Sequence, residues 1–375
     1  VDQYTYLIVG GGMTADAAAR GIRELDMSGR IGIIGEEKHP PYDRPPLTKG
    51  LWIGKQEEEI WRKTEQENVS FHLGKKVVSI HPDSREVIDN DGVKYEYQKL
   101  LLATGGKPRH LECPNEGVIY FRTLDDYHRL RSLYSKGEEF VVIGSGYIGT
   151  EIAASLAMNG KKVTMIFREP TIGSGKFPSN FSNFLSSYYS EKGVKLVCGQ
   201  TVVSVTEEHD RYVVKTSGGD TFHAEGVIAG LGIDPSTELA EAAGLEVENG
   251  ITVDRQLQTS LPDIYAAGDV ANFYNPHLEK RLRVEHEDTA NSMGRVAGRN
   301  MAGAGDEYLH LPYFYSDLFE LGYEAIGELN SGMEIIEDWH ELYHKGVIYY
   351  LREGRVRGAI LWGIWNQIDR IREMI

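Results

Sequence analysis

Cysteine is nearly missing from this chain: 375 residues contain two, Cys113 and Cys198. Two cysteines cannot form a disulfide scaffold or a zinc site of four cysteines. They fit a reducing compartment, and each reads as a small apolar packing residue. No metal-ligand set is read from the sequence. No apolar run reaches the ~18 residues that a membrane-spanning helix needs. The stretch Gly346–Trp365, apolar in places, carries Arg352, Glu353, Arg355 and Arg357. Basic charge is also short, with 40 Lys and Arg against 56 Asp and Glu, a formal net charge of −16. A field of that sign repels phosphate backbones and anionic lipid heads, so neither nucleic acid nor a membrane is expected as partner. Val1–Tyr4 run straight into a strand-like segment without a signal peptide or Arg-rich transit helix, and a cytoplasmic protein is expected.

Glycine is in excess. The chain has 42, about 11%, against an ordinary ~7%. There is no Gly-X-Y period, and a 41% apolar content rules out general disorder. Much of the excess falls in two similar halves. Tyr6–Val9 reads as strand, Gly10-Gly11-Gly12-Met13-Thr14-Ala15 as a glycine turn, Ala15–Leu25 as helix and Arg30–Ile34 as strand. The order returns with Phe140–Ile143, Gly144-Ser145-Gly146-Tyr147-Ile148-Gly149, Thr150–Asn159 and Lys162–Phe167. Each is a βαβ unit with a G-x-G-x-x-G/A fingerprint. The first glycine makes the tight turn, the second admits a pyrophosphate, and the third lets helix and strand pack closely. The helix N-terminus then offers N–H groups and a positive dipole end.

An acid should follow to bind the adenosine ribose. Gly10 to Glu36 is 26 residues, and Gly144 to Glu169 is 25. Glu37 is an alternative to Glu36. A further strand repeats in each half and ends in small residues that can pass close to a cofactor: Leu100–Leu102 before Ala103-Thr104-Gly105, and Val227–Ala229 before Gly230-Leu231-Gly232. Two sites imply two dinucleotides, most simply FAD and NADH or NADPH. A strand ending in Ala266-Ala267-Gly268-Asp269 puts a carboxylate at a strand's C-terminal end, where α/β folds bind ligands. Asp269 reads as a polyol ligand or as a helix N-cap.

Longer motifs carry a resemblance. They are Pro41-Tyr42-Asp43-Arg44-Pro45-Pro46-Leu47-Thr48-Lys49, Ala103 to Arg109, Val284-Glu285-His286, Gly322 to Gly327 and Leu361 to Asn366. Over nearly the whole chain the sequence resembles the two-dinucleotide flavoprotein reductases. Within them it is similar to the branch of apoptosis-inducing factor and the oxygenase-coupled ferredoxin reductases. The resemblance implies an α/β fold with two Rossmann-like dinucleotide-binding domains. An FAD domain of 1–119 and 249–309 would hold an inserted NAD(P)H domain of 120–248. A small α+β interface domain of 310–375 would follow, with strand-like runs at Glu341–Arg352 and Val356–Trp362. The chain lacks a mitochondrial targeting region and has a short C-terminal region, so a plain reductase is expected in preference to a cell-death role.

The resemblance also implies site residues. Gly10, Gly12, Ala15, Glu36, Arg44, Lys49, Ala103, Thr104, Gly105, Asp269, Glu285, His286 and Trp362 would serve FAD. Gly144, Gly146, Tyr147, Ile148, Gly149, Glu151, Glu169, Gly230 and Gly232 would serve NAD(P)H. Lys49 and Glu151 would pair beside the reactive ring as the catalytic residues. On the residues alone Lys49 also reads as a surface lysine, Glu151 as a first-turn helix glutamate, and Trp362 equally as core packing. Glu285 and His286 would open a helix to about Asn300, with Ala290, Gly294, Ala297 and Gly298 marking close approach to a neighbour. Ile364, Trp365, Ile368, Ile371 and Ile375 form a stripe at helical spacing, read as packing on the chain's own domain.

Disulfide-reducing relatives need cysteine beside the flavin, and here no cysteine precedes Cys113. Electrons must therefore leave FAD directly. The expected acceptor is a small carrier such as ferredoxin or rubredoxin, or a small molecule; the expected assembly is a monomer or homodimer. Glu169 favours NADH, while Arg168 leaves NADPH open. A redox sensor like apoptosis-inducing factor, or a peripheral quinone reductase, stands as the alternative.

Overall fold

The computed structural model describes residues 2–113 and 115–375; Val1, the start of the expected lead-in, lies outside them. The chain forms two compact units. The first contains the residues up to Asp43, Glu57–Lys107 and Asp234–Tyr313. The second contains Arg44–Gln56, Pro108–Ile233 and Phe314–Ile375. Residues 120–233 and 314–375, separate parts in the sequence reading, thus share one unit, and the Lys49 segment falls in that unit too.

In the first unit the strands Val69–Leu73, Ile31–Gly35, Asp2–Val9 and Lys94–Leu102 run parallel in that order. Ile264–Ala266 also pairs parallel with Lys94–Leu102, and the antiparallel strands Glu86–Asp89 and Val77–His81 extend the sheet. The carboxyl ends of the two central strands, residues 7–9 and 100–102, are continuously apolar because both faces are covered there. Leu7, Ile8, Ile33, Leu100, Leu101 and Leu102 are fully buried. The register sets the nucleotide end: Val9 pairs with Leu102, and Leu102 with Ala266. Gly10, Ala103 and Ala267 therefore leave the sheet side by side, at the carboxyl ends where α/β folds bind ligands.

The helix Met13–Arg23 follows the glycine turn and packs against the helix Glu287–Met301. Gly21, Gly294 and Gly298 sit at that crossing, where an added Cβ would collide with the backbone carbonyls of Arg295, Thr14 and Ala18. This is the close approach that the small-residue spacing predicted. The buried Asp16 ties the helix to the following segment, accepting from Arg62 Nε (2.7 Å), Arg20 Nε (3.0 Å) and Thr64 Oγ1 (2.6 Å). Burial pulls its carboxyl upward, but these three donors win and hold it below the ordinary value.

The second unit repeats the plan. Its parallel sheet runs Val194–Cys198, Lys162–Phe167, Glu139–Ile143, Gly226–Ala229 and Ile119–Tyr120. Ile143 pairs with both Ile166 and Ala229, so Gly144 and Gly230 emerge together. An antiparallel meander of Val202–Glu208, Arg211–Thr216 and Thr221–Ala224 is inserted in the chain between the sheet strands Val194–Cys198 and Gly226–Ala229. The C-terminal five-stranded sheet has the order Tyr313–Leu318, Leu321–Gly327, Arg355–Trp362, Lys345–Arg352, Glu334–Glu341.

Several boundaries differ from expectation; the first helix, for one, spans Met13–Arg23 and not Ala15–Leu25. The second helix begins at Tyr147, not Thr150, because Gly146 is its N-cap and Gly149 already lies inside it. The expected run Glu341–Arg352 is a hairpin, with Glu334–Glu341 as the missed strand. The isoleucine stripe forms only the short helix Ile368–Arg372, since the left-handed Asn366 (φ 59°) interrupts it. Ile368 and Ile371 are buried as expected.

Candidate functional site

Each unit presents one glycine cradle. In the first, Gly10 has φ 117°, a conformation that favours glycine, and a Cβ there would strike the Ala103 carbonyl. Gly12 caps the helix with extended backbone and no side-chain bond. Ala15 is fully buried behind it. Thr104 turns its hydroxyl to the Ser236 carbonyl (2.9 Å), and Gly105 accepts from the Ser236 N–H (3.0 Å). Gly268 lies against Thr14 in the first turn of the helix, which brings Asp269 to the cradle. The Arg283 guanidinium donates to the Asp269 backbone carbonyl (3.1 Å) and pairs with Glu285 (2.9 Å), so it bridges two predicted site residues. The helix starts at Glu287, leaving His286 as its N-cap and Glu285 just outside. Of the two candidate ribose acids, Glu37 accepts the Tyr42 hydroxyl (2.6 Å), whereas Glu36 is exposed and pairs with Lys76 (3.4 Å).

In the second unit Gly144 has φ 103°, and a Cβ on it would run into the Gly230 carbonyl. A Cβ on Gly149 would strike the Gly144 carbonyl, which is the close helix–strand packing asked of the third glycine. Gly146 differs. It is exposed, and the nearest heavy atom to its Cβ would be the Gly230 oxygen at 4.0 Å. Protein packing does not demand glycine there; the approach of a phosphate does. Both cradles thus fit dinucleotides, one in each unit. Tyr147 and Ile148 form the first turn of the helix, and Tyr147 carries the Lys176 ammonium 4.2 Å over its ring. Gly232, exposed with φ 85°, follows the small-residue strand and accepts from the Arg109 N–H (2.9 Å). Glu169 lies two residues past the strand Lys162–Phe167, accepting from Ser145 Oγ (3.1 Å) and Arg168 Nε (3.0 Å). Burial raises its carboxyl, but those bonds bring it below the ordinary value.

The second unit also holds the predicted ion pair. Lys49 Nζ lies 3.1 Å from Glu151 Oε1, with the lysine side chain 11% exposed and the glutamate 5%. Thr48 Oγ1 donates to Glu151 Oε2 (2.6 Å) and Ser316 Oγ to Oε1 (2.6 Å). Lys49 also donates to the Tyr315 carbonyl (3.3 Å), stands 4.0 Å over the Tyr315 ring and approaches Asp317 (3.9 Å). Burial pushes the Glu151 carboxyl upward, opposed by Lys49 and the two hydroxyls. One cation and two hydroxyl donors converge on this buried carboxyl, an arrangement suited to orienting an ammonium. Arg44 donates to the Arg122 carbonyl (3.0 Å) in the same unit.

Trp362 corrects one expectation. Its side chain is fully buried, stacked on Tyr323 (5.3 Å) and edge-on to Phe181 (4.6 Å), and its Nε1 donates to the Tyr343 carbonyl (2.9 Å). No surface remains for a cofactor, so of the two readings open in the sequence it is core packing. Trp365, 42% exposed, packs near Gly322. Sequence reasoning missed Thr48, Ser316 and Tyr315 around the ion pair; Ser316 and Tyr315 come from a strand far along the chain and had no local signal. Cys113 and Cys198 are both free, and burial pushes the Cys198 thiol up, so it is no activated thiolate. Among the described residues no cluster of His, Cys, Asp or Glu could hold a metal, and no helix is long and apolar enough to cross a membrane.

Residues 4–294 match the pyridine nucleotide-disulphide oxidoreductase family. The chain belongs to that family. Residues 297–341 and 335–375 match the mitochondrion-associated C-terminal region of apoptosis-inducing factor. This oxidoreductase is 32% identical to apoptosis-inducing factor 1 of Dictyostelium discoideum, over 100% of this chain and 79% of that protein. It is also 32% identical to the ferredoxin–NAD(+) reductase component of the anthranilate 1,2-dioxygenase system of Burkholderia cepacia, over 99% of this chain and 93% of that protein. A crystal structure of the covalent putidaredoxin reductase–putidaredoxin complex superposes with a TM-score of 0.90 at 30% identity, covering 100% of this oxidoreductase and 92% of that chain. Membership of the family implies FAD and NAD(P)H as cofactors.

Proposed function

We propose that this oxidoreductase takes hydride from NAD(P)H onto FAD and passes the electrons to an external carrier of the ferredoxin or rubredoxin type, with no protein disulfide between. The reading is carried by one observation: two separate glycine cradles, one per unit, in a chain whose two cysteines are unpaired. The relatives named as ferredoxin reductases support the class of acceptor. Bound FAD supplies the conversion from a hydride donor to a one-electron acceptor.

The chain's own residues bind and orient. Gly10, Gly12, Ala15, Ala103, Thr104, Gly105, Glu36 and Asp269 are assigned to the flavin nucleotide, with Arg44, Glu285 and His286 as further contacts. Gly144, Gly146, Tyr147, Ile148, Gly149, Gly230, Gly232 and Glu169 are assigned to the nicotinamide nucleotide. Lys49, steered by Glu151, supplies a fixed positive charge for the negative charge that reduction adds. NADH is the favoured donor, because Glu169, just past the strand Lys162–Phe167, offers a carboxylate that accepts from a ribose hydroxyl and repels a phosphate. In functional terms the three-part division proposed from the sequence is retained, as a flavin part, a nicotinamide part and a C-terminal part.

The test is anaerobic. The FAD-loaded protein is mixed with NADH or NADPH, flavin bleaching is followed, and ferredoxin, rubredoxin and small acceptors are then added. Rapid reoxidation by a one-electron carrier is expected. Slow reoxidation by every carrier, with a change of oligomeric state on reduction, would favour a sensor like apoptosis-inducing factor, the reading that the C-terminal match supports.

A further inference from the structure

Glu151, Ser155 and Asn159 follow at four-residue steps along the helix Tyr147–Met158 and its C-cap, so they share one face. All three bond to one short segment. Glu151 accepts from the Thr48 hydroxyl (2.6 Å) and pairs with Lys49 (3.1 Å). Ser155 Oγ donates to the Thr48 carbonyl (2.6 Å), and Asn159 Nδ2 to the Trp52 carbonyl (3.0 Å). Asn159 Nδ2 also donates to the Ser155 carbonyl (2.8 Å), which joins the second rung to the third.

Helical serines ordinarily return the hydroxyl to the carbonyl four residues back. Ser186 and Ser190 in the helix Ser179–Glu191 do so. Ser155, 2% exposed, gives its hydroxyl to the loop instead. Thr48 is consequently gripped at two atoms, its carbonyl by Ser155 and its hydroxyl at Glu151. The far end is held as well: Trp52 Nε1 donates to the Leu47 carbonyl (2.8 Å), and its ring meets Tyr127 (5.5 Å) and Tyr134 (5.7 Å) edge-on.

We propose that Ser155 and Asn159 are positioning residues for Lys49. They hold the 48–52 backbone in step with the helix, so that the ammonium meets the carboxylate. The inference rests on the reading that Lys49 serves hydride transfer. The hydride moves whole from nicotinamide to flavin, and the two side chains give no atom or electron to it.

The test compares the FAD-loaded parent with Ser155→Ala, Ser155→Thr, Asn159→Ala and Lys49→Ala by anaerobic stopped-flow, over a range of NADH concentrations and pH. Ser155→Ala should lower the limiting rate of flavin reduction about tenfold, the worth of one buried hydrogen bond. FAD content and the half-saturating NADH concentration should stay within about twofold. Thr48 would no longer be held on Glu151. Losing a donor makes a buried carboxylate harder to ionise, so the acid limb of the rate profile should move to higher pH. Ser155→Thr keeps the hydroxyl and should restore rate and profile. Asn159→Ala, at the less buried end, should slow reduction in the same direction if Ser155→Ala fails to fold. Parental rate and pH profile in both alanine variants would overturn the proposal, as would a loss that only follows loss of FAD. If Lys49→Ala itself reduces at the parental rate, the reading of Lys49 fails. If Lys49→Ala is slow and both alanine variants are not, only the positioning role fails.

Discussion

Glu151→Gln removes one charge and almost no volume. At the observed 3.1 Å separation, the Lys49–Glu151 attraction is about 5 kcal/mol for an effective dielectric of ~20. Desolvation of both groups offsets much of that, and breaking such a buried pair by removing one partner costs ~3–5 kcal/mol. Here the orphaned ammonium keeps the Tyr315 carbonyl (3.3 Å) and Asp317 (3.9 Å), which points to the low side. We expect a loss of about 3 kcal/mol, read as a lower urea midpoint. The amide oxygen can accept from only one of the Thr48 and Ser316 hydroxyls, and accepting from Thr48 turns its NH2 toward Lys49. Flavin reduction by NADH should therefore slow about a hundredfold, the cost of a reacting group misplaced by ~1 Å. Adding Lys49→Met to Glu151→Gln removes the orphan charge. The pair should then recover stability but not rate, which a double-mutant cycle reads directly. A Glu151→Gln protein with the parental midpoint and reduction rate would refute the reasoning. So would a double variant less stable than Glu151→Gln alone.

Two further substitutions separate packing from binding. Gly149→Ala should lower the melting temperature, because its Cβ meets the Gly144 carbonyl, whereas Gly146→Ala should leave melting unchanged and weaken NADH binding severalfold by titration. Glu169→Gln should narrow the preference for NADH over NADPH in kcat/KM by about tenfold, and an unchanged ratio would remove Glu169 from the ribose site.

Both nucleotide halves were legible because turn, helix and strand chemistry are local. Gly10, Gly144 and the few residues that follow each of them carry their reason within the turn, and the matched distances to Glu36 and Glu169 needed only counting. The helix start at Tyr147 is hidden in the sequence because the third glycine of the fingerprint reads as a boundary, while it packs inside the helix against the Gly144 carbonyl. Trp362 could not be decided from sequence, since an apolar tryptophan at a strand end reads alike as cofactor cover or core. Tertiary neighbours, Phe181 and Tyr323, decided it. The surroundings of Lys49 were the least legible. Ser316 reaches Glu151 across 165 positions, and nothing near Ser316 in the sequence marks it. Ser155 did carry a signal, four residues after Glu151 on an apolar helix where a serine must find an acceptor.

Direct transfer from flavin to acceptor is tested most plainly by counting electrons. Anaerobic titration with NADH should bleach the FAD fully at one equivalent per flavin. The Cys113→Ser/Cys198→Ser double variant should titrate alike and reduce the carrier at the parental rate. A need for two equivalents of NADH per flavin, or a loss of carrier reduction in the double variant with FAD still bound, would contradict it.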